Sequence, residues 1–168
     1  MSVRLVIDAL DFARNAGAQH GKIALSGFER LQDYLADNSG ELQYSVTGAL
    51  NRNGKPVLRV AVQGLIYLQC QRCLEELGHV LDIHTELLLA QSEDELSRLD
   101  EDESVDCVLA RPDMDVLALI EDEIILSLPI SPRHEQCECR IGEQDSNKKT
   151  AIGERSPFAA LAALKKRH

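Results

Sequence analysis

The chain has 168 residues, is 44% hydrophobic and carries a formal net charge of -10 at pH 7. This length predicts one domain, and the apolar content is sufficient for its core. Aromatic residues make up 4% of the chain and Trp is absent, so few rings remain to stack on unpaired bases. Because phosphate neutralisation drives most nucleic-acid affinity, this acidic balance predicts a poor general RNA binder, although a local basic patch could still touch RNA.

The first forty residues give weak patterns. Residues 4–7 and 22–25 are apolar enough for two short strands. Phe28, Leu31 and Leu35 then recur at helical spacing, which indicates a helix between Ser26 and Gly40.

Residues 41–89 predict three antiparallel strands. Apolar and polar residues alternate over residues 41–52 and again over residues 57–70, with a tight turn at Asn53 and Gly54 between them. A third alternating run covers residues 80–89. We therefore expect an α+β fold in which an antiparallel β meander is covered by two to four helices.

Cys70 and Cys73 form a Cys-X-X-Cys pattern at one end of this meander, and His134 and Cys137 follow about sixty residues later. Three thiolates and an imidazole could complete a tetrahedral structural zinc site. Two alternatives stay open: ordinary reduced residues without a cofactor, and a redox dithiol, which is less favoured because both flanks are predicted strands. The total of five cysteines is odd, so a closed disulfide framework is not indicated.

Residues 91–123 are strongly acidic, with 13 acids against Arg98 and Arg111, a net charge of -11. We predict a loop over residues 91–106 with a turn of helix around residues 93–99. Such a segment either faces water or binds a basic protein, and Glu121, Asp122 and Glu123 are its candidate partner-binding residues.

Residues 115–128 predict a helix that is entered through Pro112 and Asp113 and stopped by Pro129. Its predicted main apolar arc consists of Leu117, Ile120, Ile124, Ile125 and Leu128, with Leu119 and Leu126 on the opposite side. Glu121 falls within the main arc and would need a hydrogen-bonding or cationic partner there.

The predicted domain covers residues 1–139, followed by a flexible polar linker over residues 140–155 and a short helical arm over residues 156–168. An arm of this length folds only when docked, either on its own core or on a partner. Its candidate partner-binding residues are an apolar stripe and a basic tip: Phe158, Leu161, Leu164, Lys165 and Lys166. Without a leader or a long apolar run, we expect a cytoplasmic protein that has no membrane contact.

Three blocks of the sequence occur in an order that resembles the bacterial YceD family, the large ribosomal RNA subunit accumulation proteins. They cover residues 68–75, residues 115–132 and residues 156–166. The resemblance implies a non-enzymatic factor for synthesis, processing or stability of large-subunit ribosomal RNA. Some relatives carry a fuller cysteine cluster, which supports zinc at Cys70, Cys73, His134 and Cys137.

The sequence contains no nucleophile with an adjacent base and no phosphate-binding glycine loop, so no small-molecule substrate is indicated. We expect contacts with large-subunit ribosomal proteins or assembly factors, and indirect contact with ribosomal RNA. The alternative is a direct RNA binder that uses Arg52, Arg59, Arg72 and the C-terminal basic tip. A thiol redox or zinc-dependent enzyme is a distant third.

Overall fold

The computed structural model describes residues 5–102 and 104–135. Its helices and strands, in chain order, are β1 (Val6–Ile7), α1 (Ala9–Arg14), β2 (Ala18–Ala24), β3 (Leu35–Asp37), β4 (Glu41–Leu50), β5 (Pro56–Gln69), β6 (Glu76–Ala90), α2 (Glu93–Leu99), β7 (Cys107–Leu109), β8 (Met114–Asp115) and α3 (Val116–Ser127). The main sheet has the order β2-β4-β5-β6-β7, and β3 also pairs with β5. The predicted α+β class is confirmed.

The predicted meander consists of β4, β5 and β6, which pair antiparallel. Val46 lies opposite Val60, and Val60 lies opposite Thr85, so the alternating apolar residues of all three strands share one face. That face carries the buried core, and α1 and α3 contribute residues to the same cluster. The opposite face is mostly polar and exposed, but it also carries the exposed side chains of Leu65 and Val80 and, at one end, the buried side chains of Val57 and Leu88.

The predicted turn at Asn53 and Gly54 connects β4 to β5. Gly54 has φ +73°, a left-handed conformation that glycine adopts without steric cost. The Asn51 side chain accepts hydrogen bonds from the amides of Asn53 and Lys55, at 3.0 and 2.9 Å. The turn therefore has both the residue types and the hydrogen bonds that reverse the chain.

The acidic segment that follows β6 contains α2, as predicted, with Ser92 as its N-cap. It then returns to the sheet, because β7 pairs parallel to β6 with Cys107 opposite Leu88. The meander pattern gave no indication of this edge strand, since three residues are too few to show alternation.

The predicted helix at residues 115–128 is α3, and Asp115 caps it by accepting hydrogen bonds from the amides of Leu117 and Ala118. Its predicted apolar arc needs correction. Leu119 is buried rather than opposite the core, whereas Leu126 is 80% exposed. The helix contacts β5, β6 and β8, and its buried face is rotated towards Leu119.

The N-terminal region departs most from prediction. The expected strands correspond to β1 and β2, but the expected helix near Phe28 and Leu31 is wrong: two 3-10 turns and β3 occupy that region. Phe28 and Leu31 are nevertheless buried, although Phe28 follows the end of the first 3-10 turn and Leu31 begins the second. Among the described residues, no helix is long and apolar enough to span a membrane.

Candidate functional site

The turn between β5 and β6, residues 70–75, holds both cysteines of the Cys-X-X-Cys pattern. The Cys70 amide donates to the Glu75 carbonyl and the Leu74 amide donates to the Cys70 carbonyl, each at 2.9 Å. Leu74 has φ 62°, so the chain reverses there in a left-handed conformation. The Arg72 amide donates to the Cys70 sulfur at 3.4 Å. This compact turn directs both sulfurs to one side.

His134 enters the site from the segment that follows α3. The segment is held in place because the Gln71 amide donates to the Pro132 carbonyl at 2.8 Å. Nε2 of His134 lies 3.0 Å from the Glu76 carbonyl oxygen, which only accepts, so Nε2 carries the proton in the neutral imidazole. Nδ1 then presents its lone pair to the Cys73 sulfur, 3.4 Å away. Zinc-ligating histidines are commonly oriented by such a carbonyl.

The structure therefore brings together three of the four predicted metal ligands. The ligand atoms of Cys70, Cys73 and His134 all lie within 4.8 Å of one another. Cys70 is fully buried. Burial raises the pKa of its thiol, but backbone amides of Cys73, His134 and Arg72 outweigh burial and lower the pKa to about 5. Cys70 is therefore held as a thiolate, the form that binds metals. Cys137, the fourth predicted ligand, lies outside the described residues.

Cys107 has the opposite chemistry. It lies on β7, at the end of β6 farthest from the turn, and its thiol donates to Asp100 Oδ1 at 2.9 Å. That hydrogen bond, together with burial and nearby acids, raises the pKa of Cys107 to about 11. The thiol therefore stays protonated at neutral pH.

Glu121 was predicted to contact a partner and is instead buried, with 6% of its surface exposed. Oε1 accepts from the backbone amides of Arg30 at 2.7 Å and Leu31 at 2.9 Å, and Oε2 accepts from Arg30 Nε at 3.0 Å. Burial alone would raise the pKa of Glu121, but these donors outweigh it and lower the pKa below its usual value. The expected need for a cationic partner is confirmed, and that partner is internal.

Asp122 and Glu123 lie at a groove of about 670 Å³ between α3 and the β6–β7 edge of the sheet. We call it the acid-rimmed groove. Its apolar floor includes Ile83, Leu87, Val108, Leu119 and Ile125, and its acids are Asp100, Asp106, Asp122 and Glu123. Arg30 lines the groove as well and is paired with Asp122. Burial raises the pKa of Glu123, and the charges of Asp106 and Asp122 raise it further, against a hydrogen bond with Thr85. The groove therefore concentrates negative charge beside apolar surface.

The three described arginines that were candidates for RNA contact do not form a single patch, although Arg52 and Arg59 line one surface pocket together with Glu86. Arg52 lies in the β4–β5 turn and Arg72 in the β5–β6 turn, at opposite ends of the 14 residues of β5. At about 3.3 Å per residue, these turns are roughly 45 Å apart. Arg59 is paired with Glu86, with Nε 2.8 Å from Oε2.

The remaining predicted partner residues, Phe158, Leu161, Leu164, Lys165 and Lys166, lie outside the described residues, as do the predicted linker and arm. The sequence did not identify Arg30, which is 91 positions from Glu121 along the chain. The groove floor was also missed, because it combines residues of β6, β7 and α3.

Comparison with known proteins agrees with the family resemblance found in the sequence. A family model described as large ribosomal RNA subunit accumulation protein YceD matches residues 58–165. A large ribosomal RNA subunit accumulation protein YceD of Haemophilus influenzae is 25% identical over 167 residues, covering 97% of this chain and 96% of the relative. No solved structure matches the chain significantly. The matched residues include both halves of the Cys and His site and the acid-rimmed groove.

Proposed function

Because this chain belongs to the YceD family of large ribosomal RNA subunit accumulation proteins, we propose that it supports synthesis, processing or stability of large-subunit ribosomal RNA through protein contacts. The family match over residues 58–165 supports the ribosomal role. We assign no reaction to the chain, since the family is named for RNA accumulation. The acid-rimmed groove is the observation that favours protein contacts.

The groove suits a segment with one apolar face flanked by lysine or arginine. Its floor removes apolar side chains from water, and Asp106 and Glu123 stand beside that floor with no cation bonded to them among the described contacts. Burial is the main cause of the raised pKa of Glu123, and the charges of Asp106 and Asp122 raise it further, so a cation from a partner would stabilise the ionised carboxylate. The floor would supply affinity and the rim would supply orientation.

A segment of a large-subunit ribosomal protein has this chemistry, because proteins that neutralise ribosomal RNA phosphate are rich in lysine and arginine. In this proposal the chain holds such a segment until RNA phosphate replaces the carboxylates. The ribosomal protein is then delivered to the assembling subunit, where unbound RNA would otherwise be degraded.

Direct RNA binding has less support from the described surface. Four of its lysines and arginines lie within ion-pair distance of an acid: Lys22 of Glu41 at 3.7 Å, Arg30 of Asp122 at 2.6 Å, Lys55 of Glu95 at 4.0 Å and Arg59 of Glu86 at 2.8 Å. A phosphate would compete with a local carboxylate at each position.

Affinity capture of the full chain from cells, with and without ribonuclease, tests the proposal. We expect large-subunit ribosomal proteins, identified by mass spectrometry, to remain bound after ribonuclease. The double substitution Asp106→Asn and Glu123→Gln should reduce their recovery at least about tenfold, equivalent to about 1.4 kcal/mol.

The matched control is Glu75→Gln with Asp94→Asn, which removes the same charge from exposed positions outside the groove. Its recovery should equal that of the wild type. Capture that is lost on ribonuclease treatment would favour the RNA alternative, and equal losses in both double variants would show that net charge, rather than the groove, is responsible.

A further inference from the structure

We propose that Cys70, Cys73 and His134 bind one structural zinc ion and that Cys137 completes its coordination. This site goes beyond the ribosomal role, because the zinc would hold the chain together rather than contact a ribosomal component. Three independent features of the described residues support it.

The first feature is ligand spacing. In a tetrahedral zinc site with Zn–S near 2.3 Å and Zn–N near 2.0 Å, neighbouring ligand atoms are about 3.5 to 3.8 Å apart. Nδ1 of His134 and the Cys73 sulfur are 3.4 Å apart, and all three ligand atoms lie within 4.8 Å. The cluster therefore needs only a small contraction around the ion.

The second feature is the set of backbone groups that hydrogen-bond to the ligand side chains. The Arg72 amide donates to the Cys70 sulfur at 3.4 Å, which stabilises negative charge on that sulfur. The Glu76 carbonyl accepts from Nε2 of His134, so Nδ1 faces the sulfurs as a lone-pair donor. Orientation of the ligands thus comes from backbone groups already in place.

The third feature is the tether between the two halves of the site. The Gln71 amide donates to the Pro132 carbonyl at 2.8 Å, which holds the segment after α3 against the β5–β6 turn. Cys137 is three residues beyond His134, so the chain between them spans at most about 10 Å. With Cys137 as the fourth ligand, the Cys3His set would select zinc over hard cations.

Four protein ligands leave no position for water or substrate, so the site is structural. The zinc would fix the described residues after α3 to the turn between β5 and β6. Removing the zinc would weaken that attachment. The proposal does not depend on catalysis.

Metal analysis of the full chain, purified without chelator, tests the site. We expect about one zinc per chain, and loss of that zinc in Cys70→Ser and His134→Ala. Cys107→Ser is the matched control, because Cys107 is a half-buried thiol on β7, and it should retain the zinc. Zinc retained in Cys70→Ser, or lost equally in Cys107→Ser, would overturn the assignment.

Two further measurements keep the test decisive if a variant fails to fold. Zinc added to chelator-treated wild type should protect Cys73, which is half-buried, from alkylation and leave the labelling of Cys107 unchanged. Identical labelling of Cys73 with and without zinc would refute the site. Cys137→Ser should weaken zinc binding more than about 100-fold. Unchanged affinity there, with loss in Cys139→Ser, would refute the fourth ligand.

Discussion

Replacing Glu121 with alanine should destabilise the fold by about 3 kcal/mol, because it leaves buried donors without acceptors. The amides of Leu31 and Arg30 both donate to Oε1. Each buried donor left without an acceptor costs roughly 1 to 3 kcal/mol. The Arg30 side chain is 53% exposed, so loss of its ion pair adds little to this cost.

Glu121→Gln separates the contribution of the two backbone amides from that of the Arg30 side chain. The amide oxygen of glutamine can still accept from both backbone amides, and only the bond from Arg30 Nε is lost. We therefore expect a cost of about 1 kcal/mol for Gln. Asp122→Asn is the control, since that carboxylate is exposed and bonds the same guanidinium at 2.6 Å, and it should cost no more than about 0.5 kcal/mol.

Urea unfolding followed by circular dichroism gives these free energies of unfolding. Equal costs for Ala and Gln would refute the role of the backbone amides, and costs below about 0.5 kcal/mol for both would refute the buried acceptor altogether. The pKa of Glu121 is lowered by folding, so its stabilisation is present above the unfolded value of 4.5 and is lost as pH falls through the folded pKa. The difference in the free energy of unfolding between the wild type and Glu121→Gln should therefore shrink below that pH.

Three further outcomes follow from the fold. Gly48→Ala should lower the free energy of unfolding by about 1 to 3 kcal/mol, since a Cβ there would lie 2.3 Å from the Phe12 carbonyl oxygen on α1. Gly78→Ala should lower it less, because the atom nearest to the added Cβ is 3.7 Å away. Cys107, with its pKa raised to about 11, should react with iodoacetamide at pH 8 more slowly than an ordinary cysteine in a peptide, and an equal rate would contradict that shift. Deleting residues 156–168 should change the free energy of unfolding by no more than about 0.5 kcal/mol, because the described core lies within residues 9–124. The same deletion should lower the recovery of large-subunit ribosomal proteins in affinity capture. If the truncated chain unfolds, the arm belongs to the core.

The sequence was most informative where one face of an element is buried over many residues. Alternation over β4, β5 and β6 predicted the hairpin, its turn and the third strand, because a sheet with one exposed face imposes a period of two. The end of α3 was also predictable from Pro129, whereas its N-cap is Asp115 and not the expected entry residues Pro112 and Asp113. The rotation of its buried face was not predictable, since it depends on which strands lie beneath the helix.

Elements shorter than about one helical turn escaped prediction, because they contain too few residues for a period. The 3-10 turns around Phe28 and the edge strand β7 are examples, and their positions depend on distant contacts. The need for a partner at Glu121 was evident from its place among apolar residues, but Arg30 was not, because the two residues meet only in the folded chain. In contrast, Cys70, Cys73 and His134 were predicted together, because their residue types are those of a zinc site, although His134 is 61 positions from Cys73.

The ratio of mature large-subunit to small-subunit ribosomal RNA, measured in cells depleted of this chain, tests the ribosomal role most directly. We expect the ratio to fall on depletion, to recover with the wild type and with the Glu75→Gln, Asp94→Asn control, and to stay low with Asp106→Asn, Glu123→Gln. An unchanged ratio after verified depletion would contradict the ribosomal role. Full recovery with the groove variant would contradict action through the acid-rimmed groove.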